Sequence, residues 1–188
     1  MAVGLYGGSF NPVHEGHAHV AETALKRLGL DRVVWIVSPR NPLKAAGATP
    51  PLEARLSRVR GRARGPSMIV SDIERRIGAL YSIDAVRWLK ARFPAVRFVW
   101  IIGADSLATL HLWRGWAALA REVPVAVVSR PGAAIRGRRS PFARRFAAFR
   151  LPAAAARTLA GRRPPAWIYL TAPYHFVSST ALRNSRLT

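Results

Sequence analysis

Two histidines three positions apart, with glycines around them, are the residues of this chain best suited to chemistry. They stand in Gly7-Gly8-Ser9-Phe10-Asn11-Pro12-Val13-His14-Glu15-Gly16-His17, directly after the apolar run Ala2-Val3-Gly4-Leu5-Tyr6. The run reads as a buried first strand. Beyond the motif, Val20, Leu25 and Leu28 recur at roughly helical spacing within Ala18–Leu28. Glycines at a strand-to-helix turn let backbone pass close to a ligand, and the N–H groups opening a helix favour anions. His14 and His17 project from one side of that opening turn. A phosphate resting there would meet backbone donors, a helix dipole and two imidazoles together. Other uses of such a motif fit less well. A dinucleotide fingerprint would need Gly-x-Gly-x-x-Gly, and a helical zinc pair usually needs His-x-x-x-His with a third ligand.

Three further constellations accompany it. Val177-Ser178-Ser179-Thr180-Ala181-Leu182-Arg183 has the look of a helix start, where a hydroxyl can cap the turn or meet a phosphate. Arg183, one turn beyond Ser179, can reach the same anion. Ile102-Gly103-Ala104-Asp105-Ser106 follows the most hydrophobic run; Asp105 suits either a ribose hydroxyl or the cap of the next helix. His111, Trp113 and Trp116 come next, and a tryptophan there serves either the core or stacking on a flat heterocycle. Ser38-Pro39-Arg40-Asn41-Pro42-Leu43-Lys44 offers Asn41 and Lys44 at the same rim.

The elements that must position these residues alternate. Strand patterns fall at Val3–Tyr6, Val33–Val37, Met68–Val70, Arg97–Ile102, Val125–Val128 and Trp167–Leu170. Helical patterns fall at His17–Leu28, Leu52–Arg60, Ser82–Arg92, Ala117–Arg121 and Ala153–Leu159. Runs such as Phe98-Val99-Trp100-Ile101-Ile102 look buried on both faces, as parallel strands are. The expected fold is α/β: a doubly wound, mostly parallel sheet with helices on both faces. Ligands in such sheets sit beyond the carboxyl ends of the strands, near a topological switch point. Asn41–Pro51 and Ser129–Arg145 read as loops, the second a solvated, mobile surface segment with a cluster of arginines.

At 188 residues the natural expectation is a single domain spanning 1–188. The chain has no cysteine, which excludes disulfides, thiolate metal sites and a cysteine nucleophile. No apolar run reaches the ~20 residues of a membrane span, and the first residues enter a strand at once without a signal-peptide pattern. A cytoplasmic enzyme with no membrane partner is expected. The formal charge of +21 is nearly all arginine, Lys26, Lys44 and Lys90 being the only lysines. A basic field attracts polyanions. Outside the motifs, however, an arginine-rich codon usage accounts for the bias, and aromatic interleaving for nucleic-acid stacking is missing from its most basic part.

With these pieces together, the chain resembles the bacterial nicotinate-nucleotide adenylyltransferases of the nucleotidylyltransferase superfamily over nearly its whole length. The resemblance rests on the glycine-histidine motif, Ser38–Lys44, Gly103-Ala104-Asp105-Ser106-Leu107, His111-Leu112-Trp113 and Ser178–Arg183. It implies a Rossmann-like fold and transfer of AMP from ATP to nicotinate mononucleotide, giving deamido-NAD and pyrophosphate. It implies that His14 and His17 bind the ATP phosphates and stabilise the transition state. Gly7, Gly8, Ser9, Phe10, Gly103, Asp105, Ser179, Thr180 and Arg183 would complete the ATP site, Asp105 at the ribose and the last three at the β- and γ-phosphates. Asn41, Lys44, Ser82 and Trp113 would form the acceptor site, Trp113 stacking on the nicotinate ring. Two departures stand out: Asn11 where members often carry aspartate, and Tyr81-Ser82-Ile83-Asp84 where a tyrosine-threonine pair is common.

No protein nucleophile is needed, because the acceptor phosphate is itself one; positioning and charge neutralisation remain. Carboxylates are not clustered in the sequence, so no protein metal ligand is expected and Mg²⁺ should enter bound to ATP and water. Two alternatives remain open at this point. One is adenylyl or cytidylyl transfer to another phosphorylated acceptor, such as nicotinamide mononucleotide or phosphopantetheine. The other is a basic nucleic-acid-binding module, which would bind in a salt-sensitive way without either histidine.

Overall fold

The computed structural model describes residues 1–39, 49–129 and 140–171. Strands β1 (Ala2–Gly8), β2 (Arg32–Val37), β3 (Met68–Ser71), β4 (Arg97–Gly103), β5 (Val125–Val128), β6 (Arg150–Leu151) and β7 (Trp167–Leu170) join in one sheet. Their order is β3-β2-β1-β4-β5-β7-β6, and every pairing is parallel. The chain therefore builds outward from β1 in one direction and then, from β4, in the other. The reversal lies between β1 and β4, paired in register from Ala2↔Arg97 to Tyr6↔Ile101. The crevice at the carboxyl ends of these two strands is where such sheets bind ligands.

The sheet is buried on both faces because its strands carry large apolar side chains in both phases of the pleat. On one face, Tyr6, Val33, Trp35, Val99 and Ile101 pack under α1 (Glu15–Leu28), α2 (Leu52–Arg62) and a 3₁₀ segment, Ala153–Gly161. On the other, Val3, Leu5, Trp100, Ile102 and Val127 meet α4 (Ser82–Arg92), α5 (Ala104–Thr109), α6 (Trp116–Glu122) and α7 (Pro141–Arg145). A short helix α3 (Ile73–Arg76) links β3 to α4. Trp35, Trp100 and Trp167 are fully buried, one on each of three strands.

The helical pattern at Ala153–Leu159 takes the 3₁₀ form, within Ala153–Gly161 and after Pro152. Two expectations are corrected. The end of the stretch Ser129–Arg145 is not a solvated loop: Ser140 caps α7 by accepting from the backbone N–H of Ala143, Pro141 opens the helix, and Phe142 and Ala143 are buried. Residues 130–139 of that stretch lie outside the described residues. The first helix begins at Glu15, two residues before His17, which makes His14 its N-cap and sets His17 in its first turn.

Candidate active site

His14 is the N-cap of α1, with extended backbone, and its Nδ1 accepts the backbone N–H of Gly16 at 3.1 Å. His17, in the first turn, reaches back in the same way: its Nδ1 accepts the backbone N–H of His14 at 3.2 Å. This is a capping box built from two imidazoles. Because both Nδ1 lone pairs face N–H donors, the neutral rings carry their protons on Nε2. The hydrogen bonds thus assign the tautomers. The ring centroids are 4.0 Å apart. Two Nε2–H donors standing at a helix N-terminus suit phosphate oxygens and, in this tautomer, do not suit a metal ion.

The rings are braced from below. His14 is buried, and His17 meets the edge of Phe10 with centroids 5.2 Å apart. Phe10 packs in turn on Tyr6 and Trp35, each 5.3 Å away. Its backbone sits at φ 46°, in the left-handed region that bulky residues rarely adopt. Packing of the ring among three aromatic neighbours holds it there. Gly7 and Gly8 both lie close against aromatic rings, Gly7 against Trp100 and Gly8 against Phe10. A Cβ at Gly7 would stand 2.6 Å from Cη2 of Trp100, and one at Gly8 would stand 3.3 Å from Cζ of Phe10.

Across the switch point, Gly103 ends β4 and is itself the N-cap position of α5. Asp105 therefore does not cap the helix; it lies in the first turn, exposed at the rim of the crevice. On the same face of the sheet, Trp113 is half-buried and meets Trp100 edge-on, with centroids 6.5 Å apart. Ser82 is the first residue of α4. The turn around Trp113 is drawn against that helix start. Arg114 lies over the ring of Tyr81 at 5.0 Å, and a Cβ at Gly115 would be 2.9 Å from Cγ2 of Ile83. The fold thus brings Gly7, Trp100, Trp113 and the N-terminus of α4 into one neighbourhood. Asn41, Lys44, Ser179, Thr180 and Arg183 lie outside the described residues.

Two charged residues of the site region carry no signal in the sequence. Arg55 of α2 is 1% exposed. Its guanidinium donates to four carbonyls: Nε to Pro50 at 3.0 Å, Nη1 to Ser9 at 3.0 Å and Ser38 at 2.7 Å, and Nη2 to Pro39 at 3.0 Å. Burial holds its pKa below the usual arginine value. Glu74 of α3 is 3% exposed. It accepts the hydroxyls of Ser38 and of Ser82, the latter at 3.4 Å. Burial pushes its carboxyl pKa up, and the two hydroxyls offset part of that rise. Neither residue stands in a recognisable motif. Arg55 is one arginine among many in an arginine-rich chain, and only the tertiary structure separates it from the solvated ones.

A parallel sheet with its crossing point at a histidine-capped helix start is the arrangement of a nucleotidylyltransferase, and a family model for cytidylyltransferase-like proteins matches residues 5–185. A probable nicotinate-nucleotide adenylyltransferase of Caulobacter sp. (strain K31) is 63% identical over 97% of each chain. One of Methylorubrum extorquens is 50% identical over 97% of this chain and 99% of its own. The chain belongs to the nicotinate-nucleotide adenylyltransferase family. The fold is also that of a Plasmodium falciparum nicotinic acid mononucleotide adenylyltransferase solved in complex with NaAD. That structure matches with a TM-score of 0.71 at 15% identity, covering 97% of this chain and 82% of that one.

Proposed function

We propose that this enzyme transfers AMP from ATP to nicotinate mononucleotide, producing deamido-NAD and pyrophosphate. The observation that carries the reading is the pair of imidazoles, each held through Nδ1, that His14 and His17 bring together at the start of α1, beside the switch point of the sheet. An oxygen of the acceptor's 5′-phosphate attacks the α-phosphorus of ATP. The bond from that phosphorus to the bridging oxygen breaks, and its electron pair leaves with pyrophosphate. Charge builds on the phosphoryl oxygens and the leaving group during this exchange. Preorganised donors aimed at those oxygens stabilise the transition state without having to reorganise.

In this reading Gly7, Gly8, Ser9 and Phe10 shape the turn over which the triphosphate lies. Gly103 and Asp105 flank the adenosine from β4, with Asp105 at the ribose. Ser179, Thr180 and Arg183 close on the β- and γ-phosphates. Trp113 stacks on the pyridine ring, and Ser82, Asn41 and Lys44 complete the acceptor side. ATP enters as its Mg²⁺ complex, the ion being part of the substrate. Among the described residues no three His, Cys, Asp or Glu side chains gather into a metal-binding group. The reading takes residues 1–188 as one domain, supported by a single sheet that runs from Ala2 to Leu170. It places the enzyme in the cytoplasm. Among the described residues no helix is long and apolar enough to cross a membrane.

An acceptor panel tests the proposal directly. Pyrophosphate release is measured with ATP or CTP against nicotinate mononucleotide, nicotinamide mononucleotide and phosphopantetheine. Turnover is expected to be fastest with ATP and nicotinate mononucleotide. Faster turnover with another pair would overturn the acceptor or donor assignment.

A further inference from the structure

A partly buried polar chain, with Arg55 and Glu74 as its buried members, runs from the turn after β1 to the start of α4. It begins at the carbonyl of Ser9, in the turn after β1, which accepts from Nη1 of Arg55. The same Nη1 donates to the carbonyl of Ser38, just past β2. The hydroxyl of Ser38 donates to Glu74, and the hydroxyl of Ser82, first residue of α4, donates to the same carboxylate. We infer that Arg55 and Glu74 are positioning residues that, through Ser38, fix the distance between the phosphate turn after β1 and the acceptor-side start of α4.

The chemistry of the two groups argues for this role over plain stabilisation. A guanidinium is the side chain able to hold several carbonyls in one plane, because its five N–H donors are set in a rigid fork. Arg55 uses that fork to gather three separate stretches of chain: Ser9, Ser38–Pro39 and Pro50. Burying a cation against neutral carbonyls alone is costly, and so is burying a carboxylate against two hydroxyls. Apolar side chains of similar volume would leave the carbonyls and hydroxyls without these partners and would not specify the register of one loop against another. In-line transfer between two bound phosphates depends on that register, since a misplacement of 1 Å can cost about 10²-fold in rate.

The inference rests on the functional reading above, and its test separates the two. Arg55→Lys keeps the charge and loses the fork; Glu74→Gln keeps the shape and one acceptor oxygen; Ser38→Ala leaves the carbonyl to Arg55 and removes the link to Glu74. For each variant, circular dichroism and thermal unfolding check the fold. Steady-state kinetics then give kcat and the two KM values, with ATP and nicotinate mononucleotide varied in turn. Folded Arg55→Lys is expected to lose ~10-fold or more in kcat, with each KM within ~3-fold of the parent. Glu74→Gln and Ser38→Ala should lose kcat in the same pattern but less. The Arg55→Lys/Glu74→Gln double variant should fall short of the product of the single losses, because both act through Ser38. An unchanged kcat in folded Arg55→Lys would overturn the inference, as would a loss confined to KM or strictly multiplicative effects. Should Arg55→Lys not fold, Ser38→Ala decides: a fall in kcat supports the link and a parental kcat refutes it. Failure of the parent enzyme itself to adenylate nicotinate mononucleotide would strike the functional reading instead.

Discussion

A Cβ placed on Gly7 would stand 2.6 Å from Cη2 and 2.7 Å from Cζ2 of the buried Trp100 indole. No fully buried tryptophan can yield that much space without moving its strand. Gly7→Ala is therefore expected to destabilise the protein by about 1–3 kcal/mol, the usual cost of overpacking a core. Gly61, near the end of α2, is the control, because a Cβ there meets nothing within 4 Å. Gly61→Ala should stabilise by up to ~1 kcal/mol through helix propensity. Urea unfolding of the two variants measures both, and a stability loss in Gly61→Ala equal to that in Gly7→Ala would refute the packing argument.

His17→Ala removes one Nε2–H donor and the Nδ1 cap on the N–H of His14 together. Turnover should fall ~10²-fold or more, as when one preorganised transition-state donor is lost. Stability should fall by only ~1 kcal/mol, the typical worth of a cap. Single-turnover kinetics beside a melting curve separate the two effects. A folded variant with near-parental turnover would remove His17 from the chemistry.

The acceptor preference follows from hydrogen bonding rather than stacking. Nicotinate and nicotinamide rings are equally flat, so Trp113 cannot tell them apart. Donors facing a carboxylate can, because an amide turns its own N–H₂ toward them. We expect kcat/KM to favour nicotinate mononucleotide by ~10²-fold or more. Trp113→Ala should weaken use of both acceptors and leave ATP binding intact, as titration calorimetry would reveal.

Two carboxylates shift stability with pH in opposite senses. Burial alone would raise the pKa of Asp72, but hydrogen bonds from Arg75 and Arg76 outweigh it and hold the group below its ordinary value. Its contribution is present above the ordinary carboxylate pKa and is lost as pH falls through the depressed one. Asp72→Asn should thus cost roughly 1–3 kcal/mol at neutral pH and progressively less in acid. Glu74, raised by burial, contributes stability below the ordinary carboxylate pKa that is lost as pH rises through its own. Glu74→Gln should therefore gain on the parent between about pH 4 and neutrality. Melting curves across this range would contradict the assignment if both variants tracked the parent in parallel.

Arg183 supplies a prediction from the sequence alone. Arg183→Ala is expected to weaken ATP binding by ~1.5–3 kcal/mol, the worth of a charge-assisted phosphate contact. Unchanged ATP kinetics in the folded variant would count against a clamp on the β- and γ-phosphates.

Much of this arrangement is legible in the sequence, for a physical reason. Strands buried on both faces must be almost continuously apolar, so Arg97–Gly103 and Arg32–Val37 stand out from their surroundings. The glycine-histidine motif marks the end of β1. Its cap is hard to read because imidazole nitrogen seldom serves as an N-cap acceptor, so the helical pattern shows only from His17, two residues late. Helix α7 carries a proper signal, Ser140 followed by Pro141, but Arg144 and Arg145 make the stretch look solvated. Strand β6 is two residues long and too short to show any period. Arg55 and Glu74 are invisible for a different reason: burial of a charge is a property of the tertiary structure, and no local pattern encodes it.

The sheet also works as a partition wall. Tyr6, Phe10 and Trp35 brace the histidines from the α1 side, while Trp100 backs Trp113 from the α4–α6 side. The two histidines and Trp113 therefore draw their rigidity from separate cores. Drift in the side chains beneath α4 and α6 can shift the tryptophan while the packing under the histidines stays as it is. Such a division lets one scaffold vary the surroundings of Trp113 without disturbing its imidazole pair.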